Sequence, residues 1–353
     1  MLEKLVNRPV TIWTRATLAK LLGGVLEGAD ANVTALKEPK DATQHDLTCV
    51  LRENFLAAAL ESQAGVLVVT TDIKIPNSRS VIRVADIETA WVLLLRAFAP
   101  SLERNPGIHP SAVVHETAQI ETGVCIAANA VIARDAKIGA GSVIGAGSYI
   151  GERSVLGVDC LIQPNATILH DVQMGARVLV QTGAVIGSDG FGFQRTQDKH
   201  HIRQEQIGGV LIEDDVEIGV NSVIDRGTIT AIRIGARTKI GPACVIAHNS
   251  SVGCDSLLIG AVQLAGSVTV GDRVVLWGQV GSVGHITIGS DTMVTAQSGV
   301  SKDIPAGGGV YRGAPAIPIR EHLRFEANQR DIGNLKEKIQ ALAAKISELE
   351  SKQ

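Results

Sequence analysis

The chain has 353 residues, a formal net charge of −3, 37 glycines and only 3% aromatic residues. This balance gives no electrostatic reason to expect nucleic acid or an anionic membrane as a partner. No stretch approaches the roughly 20 apolar residues that a spanning helix needs, and the N-terminal residues lack a signal-peptide cleavage site. We therefore expect a cytoplasmic protein without a transmembrane segment. The five cysteines are dispersed without a CxxC pair, which is typical of reduced thiols.

The first part of the chain, residues 1–104, lacks any repeat. The segment "TLAKLLGGVLEG" predicts a short helix that ends at glycine, and "AGVLVVTTD" predicts a buried strand. These two signals indicate a small α/β domain.

A period of six begins at Ile108. An aliphatic residue then recurs at every sixth position as far as Ile186, with glycine often following it, as in "IGAGSVIGAGSYIG". Hexapeptide repeats of this kind are a signature of a parallel β-helix. Three units close one coil, so residues 18 apart stack about 4.8 Å from each other. We predict a parallel β-helix over residues 105–314, which makes the protein mainly β.

Two breaks interrupt this repeat. The first is the polar, glycine-rich loop 187–209, and the second lies between Ile224 and Ile234. Loops that interrupt a repeat are either tolerated insertions or functional. The first loop carries Phe191 and Phe193 between glycines, which favours a functional loop. Its adjacent histidines, "HH" at 200–201, point in different directions and no cysteine or carboxylate has zinc spacing, so we predict no metal site.

The last part, residues 315–353, is predicted to be a helical extension with a heptad seam. Isoleucine and leucine alternate at spacings of three and four, at Ile332, Leu335, Ile339, Leu342, Ile346 and Leu349. Taken alone, this pairing favours two strands in a coiled coil. We expect the β-helix to dictate a homotrimer instead, and a helix packed on its own subunit remains the alternative.

The 18-residue period places three candidate catalytic residues along one side of the β-helix. Gly266 lies one coil after His248, and His285 follows two coils after it, about 10 Å along the axis. Acyl transfer needs a general base, and imidazole titrates near neutral pH. It also needs a backbone N–H for the oxyanion, and glycine permits close approach to that N–H. Ordinary surface histidines are the alternative, and a nucleophilic pair of Cys244 with His248 is less favoured than a cysteine in the core.

The motifs together resemble the UDP-3-O-acylglucosamine N-acyltransferase family of lipid A biosynthesis. The matching stretches are "NPGIHPSAVVHETAQI", "GAVIGSDGFGF", "IGGVLIEDDVEIGVNSVIDRGTI", "TKIGPACVIAHNSSVG", "LAGSVTVG" and "VGHITIG". The resemblance implies a left-handed β-helix, a homotrimer with active sites between subunits, and no cofactor. It implies transfer of a 3-hydroxyacyl chain from acyl carrier protein to the 2-amino group of UDP-3-O-(3-hydroxyacyl)glucosamine.

The same resemblance implies roles for individual residues. His248 is the general base, His285 assists near the thioester or the oxyanion, and Gly266 offers the oxyanion N–H. Asn249 of the "IAHN" motif, with Phe191 and Phe193, is assigned to the substrate. Four basic residues are candidates for contact with the carrier protein or its phosphopantetheine, although each alone is better explained as a solvated charge: Lys302, Arg312, Arg320 and Arg324.

Two departures from the family pattern leave an alternative open. Gly241 and Pro242 stand where the family usually has Asp-Asn, so a carboxylate that could orient the histidine is missing there. At the uracil pocket, Cys49 and Phe55 occupy the two stacking positions and Arg52 replaces an asparagine. One lost stacking face is worth about 1–3 kcal/mol. A related hexapeptide acyltransferase with another nucleotide sugar or an acyl-CoA donor is the alternative function, and a non-catalytic scaffold is a third.

Overall fold

The computed structural model describes residues 13–76, 78–99 and 106–350. The chain divides into two compact units, Met1–Glu103 and Arg104–Gln353. The first unit is an α/β fold and the second is a β-solenoid followed by a helix.

The described residues of the first unit form a five-stranded sheet and three α-helices. Helix α1 (Arg15–Leu21) begins at a capping box between Thr14 and Thr17 and ends just before Gly23, whose φ is +63°. This confirms the predicted helix, because only a residue tolerant of positive φ closes the helix there. The predicted buried strand is also confirmed as Val66–Thr70, at the centre of the sheet.

The first unit has further strands and helices besides these two elements. The sheet strands, in spatial order, are Val25–Glu27, Val81–Val84, Val66–Thr70, Asp46–Cys49 and Ala35–Leu36. The other elements are the strand pair Trp13–Thr14 and Asn32–Val33, the 3-10 helices Pro39–Asp41 and Glu53–Phe55, α2 (Leu56–Glu61) and α3 (Ile87–Phe98).

The second unit is a left-handed parallel β-helix, as predicted. Short strands stack into three sheets of 12, 10 and 9 strands, and in the regular coils each residue pairs with the residue 18 positions later, as Ile126 does with Ile144. The strands in chain order are Gly107–Ile108, Val113–Val114, Gln119–Ile120, Cys125–Ile126, Val131–Ile132, Lys137–Ile138, Val143–Ile144, Tyr149–Ile150, Val155–Leu156, Leu161–Ile162, Thr167–Ile168, Val172–Met174, Leu179–Val180, Val185–Ser188, Phe193–Arg195, His201–Arg203, Val210–Ile212, Glu217–Ile218, Val223–Asp225, Ile232–Ile234, Lys239–Ile240, Val245–Ile246, Ser251–Val252, Leu257–Leu258, Gln263–Leu264, Thr269–Val270, Val275–Leu276, Gly281–Ser282, Thr287–Ile288, Met293–Val294, Gly299–Val300, Val310–Arg312 and Ile317–Pro318.

The aliphatic residues of the repeat fill the interior of the prism. Ile144, Ile162 and Ile246 have no exposed surface, and they belong to one continuous core cluster. Burial of such a side chain contributes about 1.5–3 kcal/mol, so the stacked column stabilises every coil through its neighbours.

The three sheets meet at three edges of the prism, which we name by their residues. The histidine edge joins the 10-stranded to the 9-stranded sheet and carries His248 between Val245–Ile246 and Ser251–Val252. The charged edge joins the 9-stranded to the 12-stranded sheet and carries Arg237. The third edge joins the 12-stranded to the 10-stranded sheet and carries Pro242.

Both breaks in the repeat lie on the histidine edge. The first insertion spans 189–209, between Val185–Ser188 and Val210–Ile212, and includes a hairpin of Phe193–Arg195 with His201–Arg203. The second insertion, 226–231, joins Val223–Asp225 to Ile232–Ile234. Both insertions therefore project from the edge that carries His248.

Among the described residues one helix, α4 (Ile319–Glu350), follows the β-helix, which confirms the predicted helical extension. The six seam residues Ile332, Leu335, Ile339, Leu342, Ile346 and Leu349 are 47–66% exposed. The seam is thus not covered by the described part of its own chain. No helix among the described residues is long and apolar enough to cross a membrane.

Candidate active site

The ring of His248 lies between two glycines. A Cβ atom at Gly190 would be 2.5 Å from the Cβ of His248, and a Cβ atom at Gly266 would be 2.7 Å from ring atoms Cε1 and Nε2. Real Cβ atoms do not approach this closely, so only glycine fits at either position. Gly190 comes from the first insertion and Gly266 from the next coil, which together fix the ring.

The backbone links His248, Gly266 and His285 as the 18-residue period predicts. The N–H of Ser267 donates to the carbonyl of His248 at 2.9 Å, and the N–H of His285 donates to the carbonyl of Gly266 at 3.1 Å. The Gly266 N–H has no hydrogen-bond partner within the described residues. A free N–H beside the imidazole is thus available to an oxyanion. His285 is exposed, with φ +60°, and stacks in register with Ser267 and Asn249.

Asn249 connects His248 to both insertions. Its Nδ2 lies 3.1 Å from His248 Nδ1 and donates to Thr228 Oγ1 at 3.0 Å, while its Oδ1 accepts from the Thr228 N–H at 2.7 Å. Thr228 Oγ1 in turn donates to Gln206 Oε1 at 2.8 Å. Nδ1 is thereby occupied, so the Nε2 side of the ring, beside Gly266, is the side that substrate can reach.

A carboxylate that the sequence analysis did not assign lies beside His248. Asp225 is 8% exposed and accepts a hydrogen bond from the Ser188 hydroxyl at 2.8 Å. Burial raises the pKa of Asp225, and the Ser188 hydroxyl and the charge and backbone N–H of His248 partly oppose the rise. Gly241 and Pro242 lie at the third edge, away from this carboxylate. Gly241 and Pro242 stand where the family usually has Asp-Asn. His248 nevertheless keeps an acidic neighbour, Asp225, in its own subunit.

The buried Arg226 supports the base of the first insertion. Its side chain is 1% exposed and donates to the carbonyls of Gly187 at 2.8 Å and His170 at 2.9 Å. Asp189, which also pairs with Arg203, lies 3.6 Å from its Nε. Burial lowers the pKa of Arg226, and the charge of Asp189 opposes that shift. This arrangement holds the segment that presents Gly190 to His248.

The two phenylalanines of the loop project outward. Phe191 is 87% exposed and Phe193 is 46% exposed, and their rings pack edge to face with centroids 5.0 Å apart. Ile207 and Ile229, from the same insertions, are 76% and 73% exposed. The histidine edge therefore displays an apolar surface suited to contact with an acyl chain or with another protein chain.

The three candidate residues of the first unit, Cys49, Arg52 and Phe55, have different surroundings in the structure. Cys49 ends a central strand, and its side chain packs against the hydrophobic cluster. Burial raises the pKa of the Cys49 thiol to about 12. Arg52 is the N-cap of the 3-10 helix Glu53–Phe55 that follows the strand, and Phe55, its last residue, is 48% exposed. Phe55 thus offers a stacking face, whereas the Cys49 side chain is partly buried against the hydrophobic cluster.

The structure also shows the surroundings of the cysteines and of the C-terminal basic residues. Cys244 is buried within the β-helix, with its Sγ directed at main-chain carbonyls, so it does not form a pair with His248. All five cysteines are free. Among the described residues no cluster of histidine, cysteine and carboxylate could hold a metal ion. Arg312 lies 3.6 Å from Glu326, and Lys302, Arg320 and Arg324 are exposed.

Known proteins are similar to this chain in sequence, and a solved structure is similar to it in fold. The UDP-3-O-acylglucosamine N-acyltransferase of Ectopseudomonas mendocina (strain ymp) is 43% identical over 336 residues, which cover 95% of each chain. The protein of that name from Pseudomonas fluorescens (strain SBW25) is 36% identical over 94% of this chain and 95% of its own. The chain belongs to the UDP-3-O-acylglucosamine N-acyltransferase family. It is therefore an acyltransferase of the hexapeptide-repeat type.

A solved structure extends this relationship. The Arabidopsis UDP-N-acetylglucosamine acyltransferase matches 62% of this chain and 76% of its own, with a TM-score of 0.54 and 25% identity. No family model matches the chain. The family membership thus depends on whole-length relatives and the β-helix.

Sequence reasoning missed four residues that contact the site: Gly190, Gln206, Asp225 and Thr228. Three of them lie in or next to motifs that carry the resemblance, "SDGFGF" and "IDRGTI". The 18-residue rule fails inside the insertions, so their approach to His248 was not predictable from register. The motif glycine and the motif aspartate were the available signals.

Proposed function

We propose that the protein transfers a 3-hydroxyacyl chain from acyl carrier protein to the 2-amino group of UDP-3-O-(3-hydroxyacyl)glucosamine, in lipid A biosynthesis. The observation that carries this proposal is the ring of His248 lying against Gly266, whose N–H is free, on the edge where both insertions project. The names of the full-length relatives support the choice of acceptor.

The chemistry follows from these groups. The amine nitrogen attacks the thioester carbon, His248 takes the proton that the amine loses, and the N–H of Gly266 donates to the oxyanion. The C–S bond then breaks, the thiol of the carrier leaves with a proton, and the amide remains on the sugar. We assign His285, two coils away, to the thioester end of the substrate. No step needs a cofactor.

The substrate groups are assigned by position. Phe191, Phe193 and Asn249 lie on the histidine edge, and we assign them to the acyl chain and the sugar. In the first unit Phe55 stacks on the uracil and Arg52 is the polar partner. Cys49 is not aromatic and packs against the hydrophobic cluster, so one aromatic face remains where the family has two.

We propose that the protein assembles as a homotrimer in the cytoplasm. The exposed seam of α4 supports association between chains, because a coiled coil covers such a stripe. The exposed cations Lys302, Arg320 and Arg324, with Arg312, fit an acidic carrier protein. Light scattering of the full chain distinguishes three subunits from the two that the seam alone favours.

The test of the function is direct. The purified chain is incubated with 3-hydroxyacyl carrier protein and UDP-3-O-acylglucosamine, and the diacylated product is measured by mass spectrometry. Product formation supports the proposal. Product only with an acyl-CoA thioester, or only with a different nucleotide sugar, would replace it by the alternative that the altered uracil pocket raises.

A further inference from the structure

A chain of three side chains, from Gln206 through Thr228 to Asn249, joins the two insertions to His248. Gln206, which is 6% exposed, donates from Nε2 to the carbonyl of Gln204 at 3.1 Å. Since that carbonyl only accepts, the other end of the amide, Oε1, faces Thr228. The Thr228 hydroxyl must therefore donate its single hydrogen to Gln206.

The orientation of Asn249 follows from Thr228. The Thr228 N–H donates to Asn249 Oδ1 at 2.7 Å, and a main-chain N–H cannot accept. The Thr228 hydroxyl, having given its hydrogen to Gln206, accepts from Asn249 Nδ2 at 3.0 Å. Reversal of the Asn249 amide would place two donors opposite each other at Thr228. Both ends of the amide are thus fixed.

The remaining hydrogen of Asn249 Nδ2 points to His248 Nδ1 at 3.1 Å. A nitrogen that accepts a hydrogen bond cannot carry a hydrogen of its own, so the neutral ring has its hydrogen on Nε2. We propose that Asn249, oriented by Thr228 and Gln206, selects the Nε2–H tautomer of His248 in the free protein. Gln206, Thr228 and Asn249 are then positioning residues of the base.

This tautomer has a consequence for the proposed function, on which the catalytic part of the inference rests. Nε2 faces Gly266 but has no free electron pair until the hydrogen moves to Nδ1, by loss of one proton to solvent and gain of another. When His248 takes the amine proton, both ring nitrogens are donors, and Nδ1–H then opposes Asn249 Nδ2–H. The Asn249 side chain must therefore leave Nδ1 when the hydrogen moves there, before Nε2 can take the amine proton.

The test is nitrogen NMR of the full chain labelled with 15N-histidine, without substrates, at about pH 9, where imidazole is neutral. The His248 ring signals are identified by their loss in His248→Gln. We expect a bare Nδ1 and a protonated Nε2 in the parent. In Asn249→Asp the carboxylate only accepts, so the tautomer should reverse, with the ratio changing at least about tenfold, the equivalent of one hydrogen bond.

Two further variants keep the outcome decisive. Asn249→Ala removes the donor, and we expect both tautomers to appear even if Asn249→Asp folds poorly. Asn221→Asp is the matched control, since Asn221 has the same corner conformation, φ +56°, on the third edge. A protonated Nδ1 in the parent, or the parent tautomer persisting in both Asn249 variants, would overturn the inference. Because no substrate is present, a failed acyl-transfer assay leaves this result standing.

Discussion

The charged edge and the histidine edge are built from the same six-residue unit. Their corner residues nevertheless differ in the coils that follow the insertions. Along the charged edge, arginine and aspartate alternate at the positive-φ corner, at Arg177, Asp215, Arg237, Asp255, Arg273 and Asp291. They form ion pairs of 2.6–2.7 Å. Each of these six side chains is paired with its neighbour, so none of the six corner charges is left without an opposite charge beside it.

The histidine edge begins in the same way and then changes. Arg153 and Asp171 form a pair of 2.7 Å below the first insertion. Beyond the insertions the corner residues are Asn249, Ser267 and His285. The arginine–aspartate pairs at the corner positions stop where both insertions project, and beyond them the edge carries the buried Asp225 and the imidazole of His248. The comparison indicates that an edge becomes a site when the repeat is interrupted, because insertions bring side chains that the register alone never aligns.

Among changes on the two edges, removal of the His248 side chain should cause the largest loss of acyl-transfer activity. For His248→Ala we expect kcat/KM for acyl transfer to fall by about 10²–10⁴, the contribution typical of a general base. The measurement is the initial rate with 3-hydroxyacyl carrier protein. His115→Gln is the matched control, because His115 lies on the same edge and its Nδ1 bonds only to Thr117. Equal losses in both variants would contradict the role of His248.

Crowding of the imidazole should have the next largest effect. Gly190→Ala and Gly266→Ala each place a methyl group within 2.7 Å of His248, so the ring must shift. A displacement of about 1 Å in a catalytic group costs on the order of 10²-fold in rate. We expect that loss in kcat for both variants, measured in the same assay.

The control for this prediction is another glycine at a corner. A Cβ atom at Gly278 would contact only the carbonyl of Gly260, at 3.4 Å. Gly278→Ala should therefore retain near-parent activity. A full rate in Gly190→Ala would show that the first insertion does not position the histidine.

Neutralisation of the buried Asp225 carboxylate should raise Tm, whereas most substitutions lower it. Burial raises the pKa of Asp225, so the folded protein binds this proton more tightly than the unfolded chain. Its ionisation lowers the free energy of unfolding as pH rises from the ordinary aspartate value, about 3.9, through the raised folded value. Asn carries no charge, so Asp225→Asn should raise Tm at pH 7 by about 2 °C.

The pH dependence checks this assignment. The gain from Asp225→Asn should shrink toward zero as the pH is lowered to about 4, where both states of the parent are increasingly protonated. Scanning calorimetry of parent and variant over this range measures it. A lower Tm at pH 7 in the variant would mean that the ionised carboxylate stabilises the site through His248 more than burial destabilises it.

The regular part of this molecule could be predicted from the sequence, and the irregular part could not. The period of six fixed the pairing of Ile126 with Ile144, and the same rule brought Gly266 next to His248. Gln206, Thr228 and Asn249 meet across separations of 21 and 22 residues that no period provides. Cys49 shows another limit, because its position in the motif did not reveal that its side chain packs against the hydrophobic cluster.

The smallest effect is expected on the charged edge. Arg273→Gln removes the pair with Asp291, but both side chains are exposed, so we expect Tm to fall by no more than about 2 °C at pH 7 with unchanged activity. The Arg273 guanidinium lowers the pKa of Asp291, so its stabilisation is present above the ordinary aspartate value and is lost as pH falls through the lowered folded value. The difference between parent and variant should therefore disappear in acid and in high salt. A loss of acyl transfer in Arg273→Gln would mean that the charged edge also serves the reaction, and the division between the two edges would fail.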